Sequence, residues 1–510
     1  MSKTITQNKK VPVVDEVDVL VAGGGPAGIA ASIAAARLGA NTLLVEAFAF
    51  LGGAATTQLV TGFPFRQFGP ERKVMAGLPE EIINGLSKLK PWKSYTIEEA
   101  VKMGQYVRFD QEAMKYHAFK ITKEAGVKVL VSTLVIDAIV ENNVCKGIMI
   151  ANESGTQAIL AKMVIDCTGD GDVSFFAGVP YDKGRQEIDG IADGKMIPAT
   201  LVTKCRGFDQ NKFSEYLKED RGLLKALIKA DKAGDLKIED NAHAWFDWQN
   251  SYRVVNGKKV RLGARGEHSM PEWHRTGEGS ISAGNAVEFD ASDGFELSRE
   301  EIKQRMYVVD FLMFMRKYVP GWENAWISDT APYIGVRESR RIIGEYVLSR
   351  EETDGGSEFD DVVCLSVSRY VTPYPNFKGI HVGAPFMIPY RCLVPKIIDN
   401  LLVAGKCISW THGALANNPR DMNTCMALGQ AAGTAAFLAI KNTVTPRNLD
   451  YKILQENLRK QGVILEYPKG TDISKIKEDL RKQGVRFWNP NTRTFEGSNS
   501  CNYIDVKDEE

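Results

Sequence analysis

One stretch near the start of the chain constrains the fold more than any other. Three glycines stand at positions 23, 25 and 28, in the spacing G-x-G-x-x-G. An apolar run, Val17–Val21, precedes them, and an Ala-rich segment that begins at Pro26 and ends at Gly39 follows them. A second apolar run, Thr42–Val45, leads directly to Glu46. This order predicts a strand, a tight glycine turn, a helix and a second strand.

The predicted turn has the features that bind a dinucleotide. Gly23 permits the tight turn, Gly25 lets a pyrophosphate approach bare backbone, and Gly28 lets the helix pack closely against the strand. The N-terminus of the helix presents N–H groups and a partial positive charge to phosphates. Glu46 can accept hydrogen bonds from both ribose hydroxyls, which disfavours a cofactor that carries a 2′-phosphate.

Composition bounds the class of protein. The chain has 510 residues, more than the roughly 250–300 at which one core stops growing, so two or more domains are expected. Lys+Arg 64 equals Asp+Glu 64, which argues against nucleic acid or an anionic membrane as a partner. We find no secretory signal and no apolar run near the roughly 18 residues that span a bilayer. The eight cysteines form no C-x-x-C pair, which indicates reduced thiols in a cytoplasmic protein and no metal or iron–sulfur site.

Two segments after the first unit also favour contact with a dinucleotide. Gly52–Ala54 is small and flexible, which suits backbone lying against a cofactor, although a plain surface turn is the alternative. From Val127–Val135 onward the pattern changes to short strands separated by turns, a β-meander. The last apolar run of the meander breaks at Thr168 and Gly169, where a second segment can touch the dinucleotide.

Other segments predict helices. Asp110–Ala125 has an acidic start and a glycine after its end, and we interpret His117 within it as core or surface filler. Ile302–Tyr318 reads as an amphipathic helix closed by Pro-Gly. The segments 450–463 and 472–485 repeat one amphipathic pattern, which predicts a peripheral helical cap without a chemical role.

A late segment supplies the candidate acid/base. An apolar run that starts at Asn400 ends at Gly405, and the loop Cys407–Pro419 after it carries His412. The Ala- and Gly-rich stretch Arg420–Ile440 then predicts a helix. Imidazole, with an unperturbed pKa of about 6.5, suits proton transfer near neutral pH. The alternative is a histidine that only hydrogen-bonds its own loop.

Three arginines are candidate clamps for a substrate carboxylate or another polar group. Arg340 belongs to the string VRESRR, Arg391 lies in the run that leads to the late strand, and Arg420 precedes the late helix. The planar guanidinium group pairs with carboxylates through two parallel hydrogen bonds. A charged rim on an element end is the alternative interpretation.

The order of these segments resembles FAD-dependent oxidoreductases with the glutathione-reductase-like fold. The strings GVRESRRIIGEY, IPYRCLVP, NLLVAGK and TCMALGQAAGTAA are closer still to a bacterial subfamily of FAD-dependent oxidoreductases, over residues 15–465. The resemblance implies an α/β protein: a Rossmann-type FAD-binding domain (parallel sheet plus β-meander), an inserted α+β substrate domain and a C-terminal helical cap. The implied bounds are 15–175 with 400–445, then 176–399, then 446–510.

The resemblance also implies which residues hold FAD. The first unit and the strand end, here C-T-G where the family has A-T-G, hold the adenine half, and the late strand and helix hold the ribityl chain and flavin. The family usually has Gly-Asp at the end of the late strand, whereas this chain has Gly405-Lys406. The implied FAD-binding residues are Gly23, Gly25, Pro26, Ala27, Gly28, Glu46, Gly52, Gly53, Ala54, Val135, Thr168, Gly169, Gly405, Asn423, Thr424, Cys425 and Met426.

The predicted function is hydride exchange between a small organic substrate and FAD. His412 and one or more of Arg340, Arg391 and Arg420 are predicted to face the flavin. One alternative is the flavin subunit of an electron-transfer complex, although such subunits carry iron–sulfur cysteine runs that this chain lacks. Another is an enzyme that uses bound flavin or NAD without net redox change. The electron partner and a homo-oligomeric state are left open.

Overall fold

Strands from both ends of the chain build one central sheet. The computed structural model describes residues 10–495 except 65–67, 69–72, 93, 104–105, 187–191, 221–222, 236–252, 256–257, 261–269, 272–276, 282–285, 287–288, 372–379, 418, 484, 486 and 490–493. The strands are β1 Val13–Ala22, β2 Thr42–Val45, β3 Gly62–Phe63, β4 Val107–Arg108, β5 Lys128–Leu130, β6 Leu134–Glu141, β7 Val144–Asn152, β8 Gly155–Asp166, β9 Tyr181–Asp182, β10 Thr203–Arg206, β11 Arg253–Val255, β12 Lys258–Val260, β13 Met270–Pro271, β14 Glu278–Ile281, β15 Trp326–Thr330, β16 Arg341–Ile342, β17 Val362–Val371, β18 Ile380–Pro389, β19 Leu401–Val403, β20 Trp488–Asn489 and β21 Thr494–Phe495. The helices are α1 Pro26–Arg37, α2 Leu78–Ser87, α3 Ile97–Met103, α4 Gln111–Glu124, α5 Asp172–Phe176, α6 Gln210–Glu219, α7 Leu224–Lys232, α8 Gly294–Tyr318, α9 Arg350–Thr353, α10 His412–Ala416, α11 Met422–Lys441, α12 Tyr451–Lys460 and α13 Ile473–Lys482.

The central sheet has the order β5-β2-β1-β8-β7-β6, and β19 pairs with the end of β8. Strands β5, β2, β1, β8 and β19 run parallel to one another. Strands β6, β7 and β8 form an antiparallel meander. This arrangement confirms the predicted α/β class with a parallel sheet plus β-meander. It also confirms the opening strand–turn–helix–strand unit, and it brings β19 beside β8 from more than two hundred residues away.

The meander differs from the prediction at two places. The predicted strand Val127–Val135 is wrong: β5 ends at Leu130 and β6 begins at Leu134. Between them Ser132 takes a left-handed backbone conformation, with φ +52°, and its N–H donates to Phe48 O. The chain therefore leaves the sheet to follow the loop after β2. The last strand of the meander, β8, runs without a break from Gly155 to Asp166.

Helices α1 and α11 pack against each other with their backbones in contact. A Cβ added at Gly429 would lie 2.0 Å from Ala27 O, and one added at Gly433 would lie 2.1 Å from Ala31 O. Only glycine fits at such an approach. Because residue numbers rise together in the two pairs, the helices run parallel, and the first turns of both point to the same edge of the sheet.

A second group of elements lies outside the central sheet. Strands β13, β14, β10 and β15 form an antiparallel sheet, and Phe208 stacks on the buried Trp322 at 4.6 Å between ring centroids in a core shared with α8. The predicted helix Ile302–Tyr318 begins earlier, at Gly294, because the Asp293 side chain accepts hydrogen bonds from the first turn. In the described part of the chain, no helix combines the length and apolar character needed to cross a bilayer. The domain bounds stay a prediction.

The two helices predicted in the tail are present as α12 and α13. Leu454 and Leu458 of α12 are buried in the main core, and Gln455 Nε2 donates to Asp360 O (2.7 Å) and Val362 O (3.0 Å). This helix is therefore fixed to β17 and the main core.

His117 of α4 is buried against α2, where a Cβ on Gly85 would lie 2.3 Å from the His117 Cε1 atom. Burial lowers the pKa of His117, so below about pH 6.5 the unfolded chain binds a proton that the folded chain does not. The contribution of His117 to the free energy of unfolding should be fully present above that pH. It should decrease on acidification, by up to about 1.4 kcal/mol per pH unit. Urea unfolding measures the free energy of unfolding at about pH 7.5 and about pH 5.5. The decrease between the two pH values should be smaller in His117→Gln than in the wild type. Equal pH dependence in the two proteins would contradict this assignment.

Candidate active site

The glycine turn after β1 contains two glycines that the fold itself requires. Gly23 has φ +98°, and a Cβ there would lie 2.4 Å from Cys167 O. A Cβ at Gly28 would lie 1.8 Å from Gly23 O. These distances are well below any tolerated contact, so both positions are restricted by the protein's own backbone.

Gly25 is different, because nothing in the described chain requires glycine there. Its backbone, φ −74° and ψ −174°, is extended and suits any residue. The nearest atom to an added Cβ is Gly53 Cα, at 3.8 Å. A bare backbone before the first turn of α1 leaves space that a side chain would fill, and this is the space a pyrophosphate needs.

The segment Gly52–Ala54 lies against this turn. Gly52 N–H donates to Gly24 O (2.9 Å), and a Cβ on Gly53 would lie 2.8 Å from Gly25 Cα. The two glycine segments, which are separate in sequence, therefore form one backbone-lined surface at the carboxyl ends of β1 and β2.

Glu46 is buried at the end of β2 and is held by backbone. Its Oε2 accepts from Gly24 N–H (2.6 Å), and its Oε1 accepts from Phe48 N–H (2.9 Å). Burial raises the pKa of Glu46, and the hydrogen bonds act in the opposite direction. Thr133 N–H donates to the main-chain carbonyl of Glu46, so β6, which contains Val135, starts next to the Glu46 backbone.

We expect Glu46 to discriminate against a 2′-phosphate. Hydrogen bonds to a charged group contribute about 1.5–3 kcal/mol, so FAD-free protein should bind ADP-ribose about 10- to 100-fold more tightly than its 2′-phosphorylated form. Glu46→Gln should narrow that ratio. Competition of the two nucleotides against bound FAD measures it, and a preference for the phosphorylated form would refute the role of Glu46.

Asp166, at the end of β8, organises the loop that carries Thr168 and Gly169. Its Oδ1 accepts from Thr168 N–H (3.2 Å) and Oγ1 (2.7 Å). Its Oδ2 accepts from Ser174 N–H (2.8 Å) and Oγ (2.7 Å). Cys167 N–H donates to Ala22 O (2.8 Å), so the loop lies next to the glycine turn.

Lys406, the residue at which the chain departs from the family pattern, connects the end of β19 to the loop after β8. Its Nζ lies 2.5 Å from Asp170 Oδ1 and 3.3 Å from Ser339 Oγ, and it also donates to Gly169 O. The residue after Gly405 thus holds the loop after β8 by charge and hydrogen bonds. Sequence reasoning identified Lys406 only as an exception and gave it no role.

The first turn of α11 holds Asn423–Met426, and all four residues are buried. The hydroxyls of Thr424 and Ser366 are hydrogen-bonded (2.9 Å). Cys425 Sγ donates to Arg420 O (3.2 Å), and burial raises the pKa of this thiol to about 12. These two side chains are engaged with protein, whereas the first N–H groups of the helix have no partner within the helix and can be offered to a ligand.

His412 belongs to a buried charged row. Its Nδ1 lies 2.7 Å from Glu338 Oε2, and Glu338 Oε1 accepts from the Arg341 guanidinium. All three side chains are at most 7% exposed. Although burial alone would raise the pKa of Glu338, His412 and Arg341 hold that pKa below its ordinary value. Nε2 of His412 makes no hydrogen bond within the described residues.

The fold brings this row together from two distant segments. Ile342 N–H donates to Cys407 O (2.9 Å), Leu348 N–H donates to Ser409 O (3.1 Å), and Thr411 N–H donates to Leu348 O (2.9 Å). The predicted loop Cys407–Pro419 contains a short helix, α10, that begins at His412. The Thr411 side chain caps it by accepting from Ala414 N–H, which fixes His412 at the helix start.

The predicted arginines occupy three different settings. Arg340 Nη1 donates to Asp172 Oδ1 (2.9 Å), and the guanidinium lies 4.1 Å from the Phe175 ring centroid. Burial, with Asp170 and Asp166 nearby, raises the pKa of Asp172 to about 6. Arg340 is therefore bonded to the loop after β8.

The other two arginines lie on different elements. Arg391 is half exposed and makes a two-pronged pair with Asp361, at 3.0 and 3.2 Å. Arg420 stands one residue before the N-cap of α11. Its Nη1 donates to Leu415 O (2.7 Å), at the end of α10. Of the three, Arg420 is thus the one that joins the helix of His412 to α11.

Sequence reasoning missed Glu338 and Arg341. Both stand in the VRESRR string, where the concentration of arginines drew the prediction to Arg340. The spacing Glu-x-x-Arg was a usable signal, since it places a carboxylate within reach of the guanidinium partner that a buried Glu requires. Among the described residues, no group of three or more His, Cys, Asp or Glu side chains is placed to hold a metal ion.

Known proteins match most of the chain or parts of it. The family described as FAD dependent oxidoreductase matches residues 18–458. Digeranylgeranylglycerophospholipid reductase of Methanocaldococcus jannaschii is 30% identical over 198 residues, 37% of this chain and 48% of that protein. Thiamine thiazole synthase of Methanococcus vannielii is 29% identical over 165 residues, 30% of this chain and 56% of that protein. The chain thus spans about half the length of these curated relatives. A geranylgeranyl bacteriochlorophyll reductase-like protein of Thermoplasma acidophilum is 15% identical, with a TM-score of 0.39, over 88% of this chain and 84% of that chain.

Proposed function

Because the chain belongs to the FAD-dependent oxidoreductase family, we propose that it exchanges a hydride between a small organic substrate and its FAD, with His412 moving the substrate's proton. FAD, when bound, supplies the hydride chemistry. The single observation that carries the proposal is the buried row Arg341–Glu338–His412. Its histidine lies on the loop between the late strand β19 and α11.

The residues of the sheet edge fit the cofactor. The space at Gly25 and the N–H groups of α1 suit the pyrophosphate, and Glu46 suits the ribose. The first turn of α11 directs its positive end to the same edge, which would stabilise negative charge on a reduced flavin. The FAD-binding set predicted from sequence, from Gly23 to Met426, is retained as part of this proposal.

In the proposal the buried row orients His412 for proton transfer. Glu338 accepts a hydrogen bond from Nδ1–H, which leaves Nε2 as the nitrogen that can exchange a proton with the substrate. When Nε2 takes a proton, the ionised Glu338 stabilises the positive ring, and Arg341 keeps Glu338 ionised. Arg341 is in turn fixed by Trp410 O (3.1 Å) and Gly184 O (2.9 Å), so the row is rigid.

Arg420 is the proposed clamp for a polar group of the substrate, since it borders both α10 and the first turn of α11. Arg340 and Arg391 are also retained as predicted substrate contacts. For these two, a substrate group would have to share the guanidinium with Asp172 or Asp361.

An anaerobic metabolite screen of the FAD-loaded protein tests the proposal. Bleaching of the flavin absorbance by an organic substrate is the expected result. Turnover without any bleaching would favour the non-redox alternative, for which the partial likeness to thiamine thiazole synthase is the supporting observation. Broad iron–sulfur absorbance in the purified protein would favour the electron-transfer alternative instead.

A further inference from the structure

Helix α8 carries apolar side chains on both of its faces. The inner face is buried in the cores around Trp322 and Ile334. The outer face leaves five apolar side chains more than half exposed: Phe295, Ile302, Met306, Val309 and Met313. A contiguous row of exposed apolar side chains is typical of an interaction surface, so the outer face requires an explanation.

The five side chains form one stripe along the helix. From Ile302 to Met313 the separations are four, three and four residues, and Phe295 stands seven residues before Ile302. This alternation is the spacing by which one helix packs along another. At about 1.5 Å per residue the stripe is roughly 27 Å long. The helix cannot turn the stripe inward, because its opposite face is already anchored in the core.

The charged side chains beside the stripe are arranged so that those of one copy can pair with those of a second copy. Asp310 is exposed and makes no ion pair within the described residues, and Lys303 stands seven residues before it with only a 4.0 Å approach to Glu300. In an antiparallel pair whose two-fold axis passes between positions 306 and 307, Asp310 of each copy lies near Lys303 of the other. We propose that two copies of this chain associate across a two-fold axis through the outer face of α8.

The same charges disfavour an anionic membrane as the occupant. Two basic side chains at the ends of the stripe already have acidic neighbours: Arg299 lies 3.7 Å from Glu300, and Lys317 pairs with Asp235. Asp310 would face lipid phosphates without compensation. A second copy compensates it, and a two-fold contact requires this self-complementarity.

Sedimentation of the FAD-loaded protein tests the interface. The wild type should be a dimer at micromolar concentration, and Met306→Glu with Val309→Glu should raise the dimer dissociation constant at least about 100-fold. Flavin content should not change. Ile453→Glu, on α12 and also an exposed apolar helix position, is the matched control and should remain dimeric.

A charge exchange gives a second, independent measurement. Lys303→Asp and Asp310→Lys should each weaken the dimer, and the combined variant should restore it. A wild type that is monomeric at all concentrations would overturn the proposal, as would a dimer that the paired glutamates do not weaken. Monomeric protein that floats with phosphatidylcholine–phosphatidylglycerol vesicles would assign the face to a membrane instead.

Discussion

Gly25→Val is expected to abolish FAD binding while leaving the fold intact. The extended backbone at this position accepts valine, and an added Cβ meets nothing in the described chain nearer than 3.8 Å. The side chain would instead fill the space of the pyrophosphate and cover the N-terminus of α1. Overlap of this kind should weaken FAD binding at least about 100-fold. The measurements are flavin content after purification, FAD titration and the melting temperature of the FAD-free protein.

Two other glycines provide the comparison. Gly294→Val, at the start of α8, also adds a side chain to open space and should leave flavin content unchanged. Gly28→Ala places a Cβ 1.8 Å from Gly23 O and should lower the melting temperature together with FAD content. A Gly25→Val protein that purifies yellow at full stoichiometry would show that the pyrophosphate does not lie at this turn.

His412→Gln should lower the rate of flavin reduction by about 10²- to 10⁴-fold, the range for loss of a general acid or base. FAD content should be unchanged, because His412 is proposed to act on the substrate. Anaerobic stopped-flow measurement of flavin absorbance, with whichever substrate the screen identifies, gives the rate directly. The matched control is His117→Gln, which also replaces a buried histidine. His117 belongs to α4 and packs against α2.

Arg420→Ala should separate binding from proton transfer. Loss of a uniform substrate contact raises KM and leaves kcat nearly unchanged, whereas His412→Gln should lower kcat. If His412→Gln reduced flavin at the wild-type rate, the Arg341–Glu338–His412 row would have a structural role only.

The sequence by itself determined the parts whose interactions are local. The strand, turn, helix and second strand from Val17 to Glu46 follow from residues a few positions apart, and the structure places them as predicted. Helix starts at Asp110, Asp450 and Asp472 are equally local, because each side chain caps the turn that directly follows it. The apolar run after Asn400 predicted the late strand, and the structure has it as β19.

Only the tertiary structure decided which distant side chains meet. Glu338 and His412 are 74 residues apart, and they touch because the chain around Ile342 runs beside Cys407. Likewise, β5 ends at Leu130 because the next residues bond to the loop after β2, although the apolar pattern continues to Val135. Periodicity and capping report the backbone within a few residues. Pairing between remote segments depends on the packing of the whole core, which no single stretch of sequence specifies.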